Sequence, residues 1–336
     1  MAKRIGQYTI EFEEPIKIAG FGSVVGEKEG KGPLGKSFHK VIYDPMAGQK
    51  TWEQAESAFQ REALQIALSN ASVKSEEADF VFSGDLLNQC ISSTYGLKDF
   101  GIPYLGQYGA CSTMAQSLIM GALAISSGAA KICACVTSSN FCSAERQYRF
   151  PLLYGGQRTP TAQWTVSGSG ACILSGSGKN MPLITGATVG ILTDLGVTDA
   201  NNMGAAMAPS AARTIAAFFR DTGTDISDYD ALFTGDLGVV GSLILYELMK
   251  NEGYDIESRH FDCGKLIFDI DKDDVHAGGS GCGCAASVLC SHILTQIEKG
   301  ALKNVLFVAT GAMMSPTSTF QGQSIPCVAH LVRLTK

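Results

Sequence analysis

The sequence predicts an α/β fold made of two similar halves, and three observations support that prediction. The pattern D-x-x-F-[S/T]-G-D-L occurs at 79–86 and again at 230–237, and the pattern G-A-x-K follows it at 128–131 and at 300–303. An internal repeat explains two patterns in the same order better than chance similarity of short strings does. Short apolar strands alternate with helix-period segments, which is typical of buried, mostly parallel sheets covered by helices. The segment 114–126 is apolar on nearly all sides, so we expect it to lie between two layers.

Each half is predicted to hold strands and helices in a similar order, with the halves at 1–180 and 181–336. The first half is predicted to contain strand 16–21, helix 52–69, strand 80–83, helix 112–127, strand 132–137 and strand 171–175. The second half is predicted to contain strand 183–192, helix 210–221, strand 231–234, helices 237–251 and 285–299, and strand 305–310. Apolar residues at helical or strand spacing mark these segments.

The composition indicates a folded chain without an affinity for nucleic acid. Hydrophobic residues make up 45% of the 336 residues and charged residues 17%, which is sufficient for a large core. The formal net charge is −6, and basic residues form no block along the chain. Because nucleic-acid binding needs a basic face that displaces counterions from phosphates, we expect no nucleic-acid partner.

The sequence also indicates in which cellular compartment the protein is found. Lys3, Arg4 and Glu11 interrupt the N-terminal segment, so we expect no signal peptide. The uncharged segment 100–130 has one solidly apolar run, 118–125, which is far shorter than the ~20 residues that a membrane-spanning helix needs. We therefore expect no transmembrane segment. The odd number of cysteines, 11 in a long chain, favours reduced, intracellular thiols over a disulfide framework.

Two glycine-rich segments resemble nucleotide-binding motifs but lack the flanking elements that those motifs need. Segment 30–37 fits G-x-x-x-x-G-K-[S/T], yet strand-like residues follow it where a phosphate-binding loop needs a helix. Segment 20–26 resembles a dinucleotide fingerprint, but it has one residue too many and opens into a polar loop. Both are predicted to be turns or surface loops, so nucleotide hydrolysis is the most distant alternative.

Two C-x-C pairs raise the question of a metal site. Structural zinc prefers pairs with longer spacing and two further ligands. Cys133 and Cys135 fall in a predicted strand and are expected to be core thiols. Cys282 and Cys284 fall in a glycine-rich loop, where a core role and a site role both remain open.

The most informative segment is Q-Y-G-A-C-S-T-M-A at 107–115, in which Cys111 stands where a loop enters a predicted helix. Backbone N–H groups and the helix dipole lower the pKa of a thiol at such a position. The repeat places 281–284 at the equivalent helix start of the second half, shortly after His276. A histidine near a cysteine is the usual way to activate a nucleophile, so we expect the two to share a pocket. Packing of a small residue at a buried helix start is the alternative explanation of Cys111.

The two strand–helix halves, the G-A-C at 109–111 and the H-x-x-G-x-G at 276–281 resemble the thiolase-like fold, which includes thiolases and ketoacyl synthases. The resemblance covers nearly the whole chain and implies two βαβαβ-type halves in a five-layered α-β-α-β-α arrangement. It also implies that Cys111 and His276 match two catalytic positions. The third catalytic position, a histidine or asparagine in the family, falls at 233–236, which holds neither. A carboxylate there would repel the oxyanion charge of a condensation, so we expect catalysis to be lost.

A narrower resemblance is to a family of sporulation proteins of endospore-forming bacteria. It is carried by the segments at 17–22, 84–89, 108–113, 144–151, 204–210 and 274–284, and it runs from end to end. The resemblance implies non-catalytic binding of dipicolinic acid, or of its calcium chelate, for uptake into the developing spore. It also implies membrane-protein partners of the same transport system and peripheral association with the spore inner membrane.

The residues expected to bind this ligand are Asp85, Cys111, Asn140, Arg146, Asp236 and His276. The two aspartates stand at equivalent strand ends, where carboxylates suit a bridging calcium ion. Arg149 and Arg158 share a loop with Arg146, and guanidinium groups suit the carboxylates of the ligand. We expect no cofactor and no metal site of the protein's own. The alternative function is an acyl-thioester condensing enzyme or thiolase that uses Cys111 as its nucleophile.

We also expect a homodimer. Thiolase-like proteins pair through a buried central region, and the uncharged segment 100–130 is too apolar to face water alone.

Overall fold

The computed structural model describes residues 1–148, 158–176 and 181–336. The strands are β1 (Ala2–Ile5), β2 (Thr9–Gly26), β3 (Lys40–Ile42), β4 (Phe80–Gly84), β5 (Tyr104–Gly106), β6 (Ile132–Ser139), β7 (Trp164–Thr165), β8 (Gly168–Ser175), β9 (Leu183–Thr188), β10 (Ala231–Thr234), β11 (His260–Asp262), β12 (Gly279–Ser280), β13 (Asn304–Ala312) and β14 (Cys327–Thr335). The α-helices are α1 (Glu27–Lys31), α2 (Trp52–Ala71), α3 (Ile91–Leu97), α4 (Thr113–Ser126), α5 (Phe141–Tyr148), α6 (Met203–Thr222), α7 (Gly238–Asn251), α8 (Cys263–Leu266), α9 (Cys282–Val288), α10 (Leu294–Lys299) and α11 (Pro316–Phe320). A π-helical turn joins α9 to α10.

The large sheet has the strand order β11-β10-β13-β14-β9-β2-β8-β6-β4-β5. The two halves of this order mirror each other. Counted inward from the two ends of the sheet, β10, β13 and β14 occupy the same places as β4, β6 and β8. The repeated sequence patterns at 79–86 and 230–237 coincide with β4 and β10. The internal repeat is therefore confirmed. The boundary between the halves stays a prediction, because 177–180 lie outside the described residues.

The expectation of mostly parallel sheets is wrong at the centre of the sheet. β4 and β10 pair in parallel with both of their neighbours. The five pairings between β6 and β13 are antiparallel. In each half, the last long strand pairs antiparallel with the long strand before it: β8 with β6, and β14 with β13. The two halves are joined by the antiparallel pair of β2 and β9. Strands buried on both faces form similar apolar runs in either direction, so their sequences did not reveal this.

Most predicted elements are present, but several ends differ. Predicted strand 16–21 is only the middle of β2, whose first part alternates glutamates with apolar residues and pairs with β1 and β9. Predicted strand 183–192 ends at Thr188. Sequence analysis missed β14 and the shortest strands and helices, including α3 and α5. The last two are short helices, which carry too few turns to show a clear period.

The layers follow from what each helix contacts. α4 packs against β4 and β6 on one side and against β13 and β14 on the other, as its apolar sequence predicted. α9 lies beside it against β8 and β6, while α2 covers β2 and β8 and α6 covers β13 and β14. These contacts confirm the thiolase-like α-β-α-β-α arrangement. No helix in the described ranges is both long enough and apolar enough to cross a membrane.

The packing of β13 leads to a stability prediction. Phe307 is fully buried in that strand, whereas Phe320 is 80% exposed. Phe307→Ala should lower the free energy of unfolding by ~3–5 kcal/mol, because it removes core contacts and leaves a cavity. Phe320→Ala, the matched control, should change it by less than ~0.5 kcal/mol. Urea denaturation followed by circular dichroism measures both values, and equal losses would contradict this assignment of the core.

Candidate functional site

The starts of α4 and α9 meet, as the repeat predicted, and a cavity of about 30 Å³ lies beside them. That volume has room for about one or two waters. Both halves of the chain supply its wall. The described residues that line it are Leu86, Tyr108, Ala110, Cys111, Ala144, Tyr148, Thr165, Met203, Ser280, Gly281, Ala312 and Met314. Among the residues predicted for the site, only Cys111 is part of this wall.

A strained turn places Cys111 at the cavity. The one-turn helix Ala110–Ser112 precedes α4, and Ala110 has a φ of 48°, a left-handed value that alanine rarely adopts. The Ser112 hydroxyl donates to the Gly109 carbonyl at 2.6 Å, and the Thr113 hydroxyl donates to the Ala110 carbonyl at 2.6 Å. These hydrogen bonds fix the backbone on both sides of the buried cysteine.

Asp236 stands directly behind the thiol. Its carboxylate accepts hydrogen bonds from the Gly281 backbone N–H and from the Thr310 hydroxyl, each at 2.8 Å, and it lies close enough to the Cys111 thiol to act on it electrostatically. Asp236 is fully buried. Burial raises the pKa of Asp236 to about 7, although these hydrogen bonds oppose the shift. The side chain therefore links the starts of both central helices to β13.

The expected lowering of the Cys111 pKa is wrong. Burial raises the pKa of this thiol well above its usual value, and the negative charge of Asp236 raises it further. Only the Gly281 backbone N–H acts in the other direction. All 11 cysteines are free, and Cys142 is the one that is not buried. Cys142, rather than Cys111, is therefore the cysteine most accessible to a reagent.

His276 does not join Cys111 in the described structure. Its ring lies against Asp274, with 3.1 Å between Nε2 and Oδ1, and it is not part of the cavity wall. The expected cysteine–histidine pair is therefore not formed. The backbone explains the difference: His276 has a left-handed φ of 50°, so the glycine-rich loop turns there before β12 begins.

Asp85 is not equivalent to Asp236 in its contacts. Its carboxylate accepts the backbone N–H groups of Leu87 at 2.9 Å and Ser93 at 2.8 Å, and the Ser93 hydroxyl at 2.6 Å. It thus ties the chain after β4 to the first turn of α3 and does not line the cavity. Glu56 lies close by, and burial followed by the charge of Asp85 raises the pKa of Glu56 to about 8.

The remaining predicted residues do not line the cavity beside Cys111, and Asn140 is buried elsewhere in the structure. Asn140 accepts the Cys142 backbone N–H at 3.0 Å, at the start of α5. Arg146 pairs with Glu53 at the rim of a separate hollow. The guanidinium of Arg158 lies 5.0 Å from the centre of the Trp164 ring. Arg149 lies outside the described residues.

Sequence analysis missed two tyrosines in the cavity wall. The hydroxyls of Tyr108 and Tyr148 are 2.9 Å apart, and the Tyr148 hydroxyl donates to the Leu86 carbonyl. Burial raises the pKa of Tyr108 to about 12, so it is a neutral hydrogen-bonding group. Tyr108 stands three residues before Cys111 in the sequence, and this nearness could have indicated that Tyr108 lines the same cavity. No sequence spacing connects it with Tyr148.

The other motifs have structural roles. Segment 30–37 spans the end of α1 and a one-turn helix, Gly35–Ser37, and leads into β3 rather than into a long helix. Cys133 and Cys135 are buried in β6. The Cys282 thiol donates to the Ser138 carbonyl at 2.8 Å, inside the protein. Over the described ranges, no three or more His, Cys, Asp or Glu side chains are grouped as a metal site would require.

A cysteine at the start of a buried helix, facing the matching helix of a similar second half, defines a thiolase-like protein. Solved structures with this fold agree. 3-Oxoacyl-[acyl-carrier-protein] synthase III from Aquifex aeolicus aligns with 96% of this chain and all of its own, at a TM-score of 0.57 and 14% identity. Acetamide-bound OleA from Xanthomonas campestris aligns with 97% of this chain and all of its own, at a TM-score of 0.61 and 15% identity.

Sequence comparison is more specific. The family model of Stage V sporulation protein AD (SpoVAD) matches residues 6–335. The Stage V sporulation protein AD of Bacillus subtilis is 43% identical over 328 residues, which cover 98% of this chain and 96% of that protein. The chain therefore belongs to the SpoVAD family of sporulation proteins.

The negative charge of Asp236 close to Cys111 leads to a prediction about reactivity. Asp236→Asn removes the negative charge that opposes the thiolate, so the Cys111 pKa should fall. Alkylation by iodoacetamide at mildly alkaline pH should become about tenfold faster, since one pKa unit changes the thiolate fraction by that factor. Mass spectrometry of labelled peptides gives both rates, with Cys142 as the internal reference. An unchanged or slower Cys111 rate would show that Asp236 does not control this thiol.

Proposed function

We propose that the protein binds dipicolinic acid (pyridine-2,6-dicarboxylic acid), free or as its calcium chelate, without catalysis, for uptake into the developing spore. Membership of the SpoVAD family supports the sporulation role. The observation that carries the non-catalytic part is the Asp236 carboxyl, whose charge acts on Cys111, the one cysteine that lines the cavity in the described part of the chain. No cofactor is part of this proposal.

The alternative is a condensing enzyme or thiolase that uses Cys111. The thiol does line a cavity, and the solved structures with this fold include a synthase. Acyl transfer, however, needs a thiolate and donors that stabilise an oxyanion. Here burial and the neighbouring carboxylate both oppose the thiolate, and no histidine lines the cavity in the described part of the chain. These contacts favour a binding protein.

Calorimetric titration with dipicolinate tests this function. We expect saturable binding by the purified protein, and titrations with and without calcium identify the form that binds more tightly. Cys111→Ala should change the affinity less than about threefold, because a neutral thiol is a weak hydrogen-bonding group. Absence of binding in both titrations, together with acyl-thioester turnover that Cys111→Ala abolishes, would contradict the proposal and favour the enzyme.

We also propose that the protein is a homodimer that pairs along β5. This strand ends the large sheet, and its residues are exposed. Leu105 of β5 and Met120 of α4 are 47% and 41% exposed. Both line one groove, with Phe80 and Phe82 as apolar neighbours. A second copy of the chain could pair its β5 with this one across a twofold axis, because an edge strand offers unpaired backbone groups to an equivalent strand.

Light scattering tests the dimer. The unaltered protein should have twice the mass of one chain, and Met120→Glu should shift it to the monomer, because it buries a charge in the proposed interface. Leu243→Glu is the matched control, since Leu243 is 59% exposed on α7, a helix of the second half that packs against α6 and α8. A monomer before any substitution would rule out the dimer, and an unchanged dimer in Met120→Glu would place its interface elsewhere.

Association with the spore inner membrane is proposed to be peripheral and to run through membrane proteins of the same transport system. The family resemblance supports these partners. The net charge of −6 supports the absence of a nucleic-acid partner.

A further inference from the structure

The surface beside the start of β14 exposes four large apolar side chains. Phe320 of α11 is 80% exposed, and Leu195 and Leu192, in the loop after β9, are 70% and 62% exposed. Val189 of the same loop is 41% exposed. We call these four side chains the leucine–phenylalanine patch. A group of exposed apolar side chains is typical of a surface that another molecule covers.

Hydrogen bonds hold the two segments of the patch side by side. The backbones of Thr193 and Cys327 exchange two hydrogen bonds, each at 2.8 Å. The Ser324 hydroxyl donates to the Asp194 carboxylate at 2.6 Å. Phe320 precedes Ser324 by four residues, which span at most about 14 Å. The loop after β9 and the end of α11 therefore belong to one surface.

The apolar side chains stand on a fixed backbone. The Ser315 hydroxyl accepts the Ser318 backbone N–H at 3.1 Å and so caps α11. In the loop, the Gly190 N–H donates to the His330 ring at 3.1 Å. Gly190 approaches β14 so closely that a Cβ there would lie 1.8 Å from the Ala329 carbonyl oxygen. Because the backbone is already ordered, a partner that covers the patch has less conformational freedom to remove.

The charges in these segments are negative. Asp194 and Asp199 are the only charged residues in 181–212, and 304–332 contains no Asp, Glu, Lys or Arg. Hydrogen bonds from the Ser324 hydroxyl and a neighbouring backbone N–H lower the pKa of Asp194, which keeps its carboxylate ionised. Neither carboxylate forms an ion pair with another described residue. The patch thus combines exposed apolar side chains with negative charge that no cation of the described chain balances.

We infer that the leucine–phenylalanine patch binds a protein partner whose contact surface is apolar and carries lysine or arginine side chains. This inference rests on the proposed function and assigns its membrane-protein partners a place on this chain. An apolar centre with a polar rim is typical of specific protein interfaces. The carboxylates of Asp194 and Asp199 favour a basic partner over an acidic one.

Two other occupants fit the patch less well. A lipid bilayer with anionic headgroups would be repelled by Asp194 and Asp199. A second copy of this chain, paired through the same patch across a twofold axis, would bring the same two carboxylates together from each copy. A basic protein surface meets neither difficulty.

Sedimentation with membrane vesicles tests this surface. The probe is inner-membrane vesicles from sporulating cells that lack this chain, and liposomes made from lipids extracted from those vesicles are the control. The unaltered full chain should pellet saturably with the vesicles. It should not pellet with the liposomes, or with vesicles whose exposed proteins have been removed by a protease.

Two matched pairs of variants locate the contact. Phe320→Glu should weaken vesicle binding at least about tenfold, because it places a charge where an apolar anchor would be buried. Leu243→Glu makes the same change at an exposed leucine of α7 and should leave binding unchanged. Asp199→Lys should weaken binding at least about threefold, since it reverses a charge that faces basic residues. Asp255→Lys, at an exposed aspartate after α7, should have no effect.

The results of sedimentation decide between the occupants. Absence of vesicle binding, or equal binding by Phe320→Glu, overturns the patch as the contact surface. Equal binding to liposomes overturns the protein partner in favour of the membrane itself, and equal binding by Asp199→Lys overturns its basic character. Light scattering of Phe320→Glu should still show the mass of the unaltered protein, whereas a change from dimer to monomer would assign the patch to a second copy.

Calorimetry separates this surface from the proposed function. Dipicolinate should bind Phe320→Glu as tightly as it binds the unaltered chain. Dipicolinate binding without vesicle binding overturns the patch and leaves the ligand function standing. Vesicle binding that depends on Phe320, without any dipicolinate binding, supports the patch and overturns the ligand function.

Discussion

The buried carboxyl of Asp236 is the contact on which the arrangement of the cavity depends. It accepts hydrogen bonds from Gly281 at the start of α9 and from Thr310 on β13, and its charge acts on Cys111 just before α4. One side chain thus joins the two central helices, which come from different halves of the repeat. Losing such a partner would leave several buried donors without an acceptor, at a cost of ~1–3 kcal/mol for each.

The same contact determines the chemistry that Cys111 can perform. A helix start normally favours a thiolate. Here the thiol is buried and lies beside a carboxylate whose pKa is raised to about 7. Both effects favour the neutral thiol. The thiolase-like fold therefore keeps its cysteine, but the neighbouring carboxylate opposes the thiolate that a helix start would otherwise favour. This arrangement is consistent with a protein that binds a ligand without transforming it.

The sequence predicted features that follow from local patterns better than features that depend on contacts between residues far apart in the chain. The repeat located β4 and β10 and brought the starts of α4 and α9 together, because these features follow from local pattern and order. The repeat failed for Asp85, whose carboxylate caps nearby N–H groups at Leu87 and Ser93. In the second half that role falls to Asp262, which accepts the N–H groups of Leu237 and Gly238. This exchange of roles left Asp236 available to Cys111, and no spacing in the sequence reveals it.

A cavity at the junction of α1, α2 and β7, lined by both tryptophans, was missed for a similar reason, although the predicted site residue Asn140 is part of its lining. Trp52 begins a helix and Trp164 forms a two-residue strand, so the two rings meet only through long-range packing. Lys28 also lines this cavity, and it lies in a segment that the sequence marks merely as polar. Residues that belong to a motif were therefore easier to predict than residues brought together by the fold.

Intact-protein mass spectrometry after incubation with an acyl thioester, such as acetyl coenzyme A, tests the central claim most directly. The claim is that Asp236 keeps Cys111 from acting as a nucleophile. The account predicts that the mass of the protein stays unchanged, with no acyl group on Cys111. An acyl adduct that maps to Cys111, and that is absent from Cys111→Ala, would contradict it.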